Sequence, residues 1–307
     1  MMIRQSGDMD KRNNPVLGVF WMMVTGFTFV GVTATVKHVG DGLPAAQAGF
    51  MRYALGLLLL VPMIPAMRRA KFSGADLRLF TIRGLFQVAG VILWFYAMTQ
   101  ISIAEVTAMN YLSPVYVTLG AALFLGERLA ARRILAVLAA LIGAMIILRP
   151  GFREISPGHF AMIGTAIAFG GSYLMMKRLT DKFEAAVIVF MMSVTVTIGL
   201  IPFAWMVWVP PSLEQTAWMG LVAVLATFGH YAMTLAFRAA PVTVTQPVTF
   251  LQLVWATALG ALVFDEPVDA FVVLGGTIIL AAVSFITWRE AVLKRRMVAP
   301  PHVATKY

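Results

Sequence analysis

Three ionisable residues interrupt long apolar stretches of this sequence and are the first candidates for chemistry: Arg52, Arg83 and His230. A guanidinium can bind a carboxylate or a phosphate through two parallel hydrogen bonds, so Arg52 is a candidate substrate-binding residue. His230 could relay a proton or contact a substrate. The alternatives are structural: an arginine anchored at a water interface, or a neutral histidine bonded to a neighbouring helix.

Glu105 opens the apolar stretch 102–126, where a carboxylate interacts favourably with the helix dipole. It could also pair with Arg52. Together with His230, it is the second candidate for coupling transport to protons.

Further polar and aromatic residues could line a central cavity with Arg52 and His230, where aromatic rings suit a ring-bearing or cationic ligand. These candidates are Trp94, Tyr96, Asn110, Tyr111, Gln246, Gln252 and Trp255. The alternative for the aromatic residues is a belt at the membrane interface. The other histidines, His38, His159 and His302, are expected in loops or in the tail. No His and carboxylate cluster is spaced to hold a metal, so neither a metal nor a cofactor is expected.

The composition places these residues in a membrane protein. Only 12% of the 307 residues are charged, 60% are hydrophobic and the mean hydropathy is +0.84, whereas a soluble domain carries about 25% charged residues. The net charge is +10, but the basic residues lie between apolar runs rather than on one basic face, so no nucleic-acid partner is expected. There is no cysteine for a disulfide or thiol site.

The polar residues 1–15 precede an apolar run too long for a signal peptide, which predicts an uncleaved first span.

Ten stretches are long enough to cross the bilayer, which takes about 20 apolar residues. They are 16–37, 44–66, 76–99, 102–126, 129–149, 157–179, 184–209, 214–237, 241–264 and 268–288. With the N-terminus in the cytoplasm, the cytoplasmic segments hold 19 Lys and Arg residues and the opposite segments hold 3. The positive-inside rule therefore predicts an all-α protein with ten spans and both termini in the cytoplasm.

The chain also contains an internal duplication. At an offset of 139 residues, YLSPVYVTLGAALFLGE (111–127) aligns with FLQLVWATALGALVFDE (250–266), which places Glu127 over Glu266. Each copy holds five spans, an odd number, so the second copy must be inverted relative to the first. Inverted repeats are typical of transporters with a substrate site near the midplane. Both glutamates are interpreted as structural markers of the repeat that cap the helices following them.

Several phrases resemble EamA-type members of the drug/metabolite transporter superfamily. They are MRYALGLLLL (51–60), IRGLFQVAGVILWFYAM (82–98), AEVTAMNYLSPVYVTLGAALFLGERL (104–129) and QLVWATALGALVFDEPVDAFVVLGG (252–276). The resemblance implies an inner-membrane carrier with two EamA repeats, here at 16–149 and 157–289, between cytoplasmic tails 1–15 and 290–307. It also implies a small metabolite as substrate, such as an amino acid, S-adenosylmethionine or a riboflavin-like compound. Pro114 becomes Leu253 in the second copy, so the halves are not interchangeable.

The resulting hypothesis is a secondary transporter that works by alternating access and is driven by protons or by a counter-substrate. A channel or a structural membrane protein is the first alternative. An integral membrane enzyme is the second, and the absence of HExxH, of a mid-span aspartate and of Walker A disfavours it. Substrate identity, direction of transport and oligomeric state stay open at this point.

Overall fold

The computed structural model describes residues 14–125, 131–152, 154–179, 182–240 and 245–298, and within these ranges the chain forms helices without any β-strand. The helices are α1 Pro15–Val39, α2 Ala45–Leu59, α3 Ile64–Arg69, α4 Gly74–Gln100, α5 Ile103–Asn110, α6 Ser113–Leu125, α7 Ala131–Leu148, α8 Pro157–Leu179, α9 Ala185–Met206, α10 Leu213–Ala239, α11 Phe250–Val263 and α12 Ala270–Val298. Short 3-10 turns occupy Gly40–Gly42, Val61–Met63 and Gln246–Thr249. The all-α prediction is confirmed.

Local sequence signals set where several helices begin. Ser73, Ser102 and Ser212 each accept a hydrogen bond from the backbone three residues ahead, and an acidic or amide side chain there bonds back, forming capping boxes for α4, α5 and α10. At the start of α1, the Asn14 side chain accepts from Leu17 N, with Pro15 at the first helical position. These polar caps satisfy the free N–H groups of helices that are otherwise almost wholly apolar.

The predicted spans coincide with helices, but not all of them are continuous. Within the described residues, five helices are long and apolar enough to cross a membrane alone, and a sixth span is the pair Ala45–Leu59 and Val61–Arg69, bent by 57°. The stretch 102–126, expected as one helix, is broken between α5 and α6. Pro114 explains the break, because a proline ring clashes with the carbonyl four residues earlier, and α5 ends at that residue, Asn110. The expected span 241–264 likewise contains a 3-10 turn before α11.

Helix packing reflects the duplication. The most extensive contacts within the described residues include α1 with α10, α4 with α8, α2 with α9, and α7 with α12. Each pair joins a helix of the first repeat to one of the second. The duplication relates α1 to α8 and α4 to α10, so exchanging the two copies converts the α1–α10 pair into the α8–α4 pair. It also relates α2 to α9 and α7 to α12, so each of these two pairs is converted into itself. The fold is therefore two interlocked five-span repeats, as the sequence predicted.

One interface between the repeats depends on glycine. A Cβ atom on Gly143 of α7 would lie 2.7 Å from the carbonyl oxygen of Gly275 on α12, and a Cβ on Gly275 would lie 2.4 Å from the carbonyl oxygen of Gly143. The two backbones can approach this closely only because neither residue has a side chain. We call this contact the glycine seam.

Candidate functional site

A cavity of about 450 Å³ lies between α2, α9 and α10, a volume that suits a small organic ligand. Most of its wall is apolar. The polar exceptions among the lining residues are Arg52, Tyr53, Ser193, Thr227, His230 and Tyr231. The cavity therefore combines a hydrophobic surface with a few polar groups, which is the usual composition of a small-molecule site.

Arg52 is the positively charged group on this wall. It lies on the buried face of α2 with only 6% of its surface exposed, and its guanidinium carbon lies 3.9 Å from the centre of the Tyr53 ring. Its Nε atom is fully buried without an acceptor. No carboxylate among the described residues pairs with Arg52, so its planar donor fork is available to an anionic ligand group.

His230 lies on the same wall, on α10. Its Nδ1 atom is 2.7 Å from the carbonyl oxygen of Ala226 one turn earlier, and since a carbonyl only accepts, this contact places a hydrogen on Nδ1. The ring also packs edge-to-face against Phe29, with centroids 5.0 Å apart. Helix α10 and Phe29 thus fix the orientation of the imidazole beside the cavity.

Two of the nine predicted substrate-binding residues, Arg52 and His230, line this cavity. The others, where the structure describes them, lie elsewhere. Trp94 packs edge-on against Phe95 and Phe169, and Trp255 against Phe27. Tyr96 borders a separate pocket of about 140 Å³, too small for a typical ligand. Asn110, at the end of α5, has a buried Oδ1 without a partner, and Gln252 faces Gly26. The side chain of Gln246 lies outside the described residues.

Tyr111 occupies the break between α5 and α6. Its hydroxyl donates a hydrogen bond to the carbonyl oxygen of Thr249, at 2.7 Å, in the 3-10 turn that precedes α11. Because the bond joins the two interruptions directly, both lie at the same level of the helix bundle. Tyr111 therefore ties the break between α5 and α6 to the 3-10 turn that precedes α11.

Glu105 forms a buried pair that the sequence did not reveal. Its Oε1 is 3.1 Å from Nε2 of His159, while its Oε2 accepts hydrogen bonds from the amide (2.9 Å) and hydroxyl (3.0 Å) of Ser102. The expectation that His159 lies in a loop is wrong: it lies in the first turn of α8 and is 3% exposed. Pro157 at the first helical position was the available signal, because proline favours helix starts.

Ion pairs between the repeats collect at one end of the bundle, which we call the far end because α1 finishes there. Among the described residues they are Lys37 with Glu266, Arg149 with Asp269, and Glu105 with His159. Each joins the first repeat to the second. At the opposite, near end, Asp76 pairs with Lys182. Within the described residues, more ion pairs therefore join the repeats at the far end than at the near end.

The role predicted for Glu266 requires a correction. Its carboxylate was expected to cap the following helix, α12, but it instead accepts a hydrogen bond from the amide of Ile103, at 3.0 Å, at the start of α5. Asp269 caps α12 through the amide of Phe271, at 2.9 Å. Glu266 favours α5 because the inverted packing brings that helix start beside Lys37. Its counterpart Glu127 lies outside the described residues.

Comparison with known proteins agrees with this architecture. Residues 16–149 and again 156–288 match the family described as EamA-like transporter family. The chain belongs to the EamA-like transporter family. It is a multi-pass membrane protein whose named relatives are transporters of small metabolites.

EamA relatives with assigned substrates cover nearly the whole chain. A pseudopaline exporter of Pseudomonas aeruginosa is 29% identical over 270 residues, which cover 86% of this chain and 94% of the relative. A riboflavin transporter of Vibrio cholerae is 27% identical, with coverage of 94% and 98%. An S-adenosylmethionine uptake transporter of Rickettsia prowazekii is 22% identical, with coverage of 89% and 93%. A solved crystal structure superposes with a TM-score of 0.58 at 16% identity, covering 93% of this chain and 99% of its own, which shows a shared fold. The chain is a small-metabolite transporter.

Proposed function

We propose that this protein is an inner-membrane carrier that moves a small organic metabolite by alternating access, with the cavity between α2, α9 and α10 as its substrate site. The observation that supports this most directly is the position of Arg52 and His230 on one apolar wall. They come from different repeats, so a substrate touching both would bridge the two parts that must move. The units are the repeats 16–149 and 157–289, with tails 1–15 and 290–307 in the cytoplasm.

The charge distribution suggests which state the structure represents. If the N-terminus is cytoplasmic, as the excess of Lys and Arg there favours, the far end faces outward. The cavity wall includes Leu59, Leu60, Pro62 and Met63, which follow Arg52 toward the near end. The three ion pairs at the far end then close the external side. We interpret this as an inward-facing state in which those pairs must break before the site can open outward.

Transport is driven either by protons or by exchange for a counter-substrate. His230 and the Glu105–His159 pair are the groups proposed to carry the proton, because both contain an imidazole, which can take up and release a proton. The protein has no proposed catalytic step: substrate enters and leaves chemically unchanged.

The first substrates to test come from the relatives and from the wider family. A thermal-shift screen of the purified protein should include riboflavin, S-adenosylmethionine, pseudopaline and the amino acids. Any compound that raises the midpoint of unfolding is then followed in proteoliposomes. A carrier shows saturable uptake and counterflow, whereas linear uptake with concentration would indicate the alternative, a channel.

Arg52→Gln tests the site itself. We expect the KM for uptake of an anionic hit to rise about tenfold or more, since a hydrogen bond to a charged group contributes about 1.5–3 kcal/mol. Arg78→Gln is the matched control, because it removes the same charge from an exposed position on α4. Equal kinetic constants for Arg52→Gln, Arg78→Gln and wild type would place the substrate site elsewhere.

A further inference from the structure

Arg83 is a second buried guanidinium beside the same cavity. It lies on α4 with 3% of its surface exposed, and its Nη2 is 3.3 Å from the sulfur of Met192, a lining residue of the cavity. Its Nη1 is 3.4 Å from the carbonyl oxygen of Ile188, and its Nε has no partner. A thioether is a weak acceptor and the carbonyl contact is long, so this guanidinium is poorly satisfied.

The helix that carries Arg83 is bonded to the helix that carries Arg52. One turn along α4, Gln87 donates to the hydroxyl of Tyr53 at 3.5 Å, and Tyr53 is the neighbour of Arg52 on α2. Two buried guanidinium groups therefore lie beside one cavity: Arg52 lines it, and Arg83 contacts its lining residue Met192.

No carboxylate compensates the charge of these two buried arginines. No described residue lining the cavity is acidic, and no described carboxylate forms an ion pair with either arginine. Three less buried cations among the described residues, Lys37, Arg149 and Lys182, each have a carboxylate partner. A charged side chain inside a membrane costs at least about 2.5–3.5 kcal/mol, so two uncompensated ones require a role.

We propose that Arg52 and Arg83 together bind a substrate carrying two negative charges, either a dicarboxylate or a phosphate ester. This rests on the proposed function of the cavity as the substrate site. Met192 is the group that must move, and its unbranched, flexible side chain can change rotamer without disturbing α9. A dianion would neutralise both guanidinium groups, whereas a cation would add to their repulsion. Arg83 is thus a specificity-determining residue, selecting the second negative charge.

The test compares probes that differ in charge, using purified full-length protein. The probes are succinate as a dicarboxylate, phenyl phosphate as a phosphate ester, acetate as a monoanion and choline as a cation. We expect a dianion to bind about tenfold or more tighter than acetate, measured by isothermal titration or thermal shift, and choline not to bind. Comparison of succinate with phenyl phosphate distinguishes the two chemical sources. Equal binding of acetate and both dianions, or tighter binding of choline, would overturn the proposal.

Variants then assign the second charge to Arg83. Arg83→Gln should abolish the preference for dianions over acetate, while Arg83→Lys, which keeps the charge and guards against misfolding, should retain part of it. Arg78→Gln should behave as wild type. A full preference in Arg83→Gln would contradict the inference. Saturable transport of an uncharged or cationic solute that no dianion inhibits would overturn this inference alone, whereas the absence of saturable transport for any solute would overturn the carrier function.

Discussion

The glycine seam gives a prediction whose size follows from the structure. In Gly143→Ala, the new Cβ would lie 2.7 Å from the carbonyl oxygen of Gly275 and 2.8 Å from Cγ1 of Ile279, against about 3.4 Å for an ordinary contact. A backbone carbonyl cannot rotate aside, so α7 and α12 must separate by about 0.7 Å, the difference between 3.4 and 2.7 Å. Overpacking of this kind costs about 1–3 kcal/mol, while replacing glycine by alanine in a helix gains about 0.5–1 kcal/mol.

The net effect should be a loss of stability, which Gly220→Ala tests by contrast. A Cβ on Gly220, also within a helix, would have no atom within 4 Å, so this variant receives the helix gain alone. In detergent, we expect the unfolding midpoint followed by tryptophan fluorescence to fall by roughly 1–4 °C for Gly143→Ala and to rise by roughly 1–2 °C for Gly220→Ala. The difference between the two midpoint shifts cancels the gain from replacing glycine by alanine in a helix. What is left is the effect of the close contact between α7 and α12. A midpoint for Gly143→Ala at or above that of Gly220→Ala would refute close packing at the seam.

Three further experiments probe the far end. Lys37→Glu and Glu266→Lys should each lower the initial rate of uptake, and the double exchange should restore only part of it, because the pair is rebuilt with opposite polarity while the Ile103 amide still loses its carboxylate acceptor; wild-type rates in both single variants would show that the ion pair is not needed. Glu105→Gln keeps an oxygen that can cap α5 but removes the carboxylate of the acid–imidazole pair, so uptake driven by an imposed proton gradient should fall, and a rate equal to wild type would contradict the coupling role. Gln47→Leu removes the partner of both backbone groups of Val209, bonded at 2.7 and 2.9 Å, which should lower stability by about 1–3 kcal/mol and is contradicted if the thermal midpoint does not move.

The course of the chain through the membrane could be predicted from the sequence because a span must be both apolar and long. Each predicted stretch coincides with a helix or a broken helix within the described residues, and capping residues such as Ser73 and Ser212 sharpen the starts. The interruptions were harder to predict, since a proline inside a span is tolerated in one place and breaks the helix in another. Pro202 lies within α9, whereas Pro114 coincides with the end of α5. The difference depends on which neighbouring groups satisfy the freed carbonyl, and that is a tertiary property.

The site was predictable only in part. Arg52 and His230 stood out because charged or titratable groups inside apolar stretches are rare, but they are 178 residues apart in sequence (230 minus 52). Their shared cavity arises from packing of α2 and α10 across the repeats. Trp94 and Trp255 belong to aromatic contacts instead because the rotation of each helix about its axis decides which side chains face a cavity. In a membrane helix, lipid and protein interior are similarly apolar, so the sequence pattern records this rotation weakly.

The hydrogen bond from Tyr111 to Thr249 has a consequence for how the gene could have evolved. In an ancestor assembled from two identical copies, symmetry would require this bond to occur twice, once in each direction. The residue aligned with Tyr111 in the second copy is Phe250, which has no hydroxyl. The bond is therefore possible in one direction only, and such a difference can accumulate only when the two copies are encoded separately, as they are within this chain. Separate coding thus allows the two halves to contribute unequally to the energy of switching, so that one orientation of the transporter can be favoured at rest.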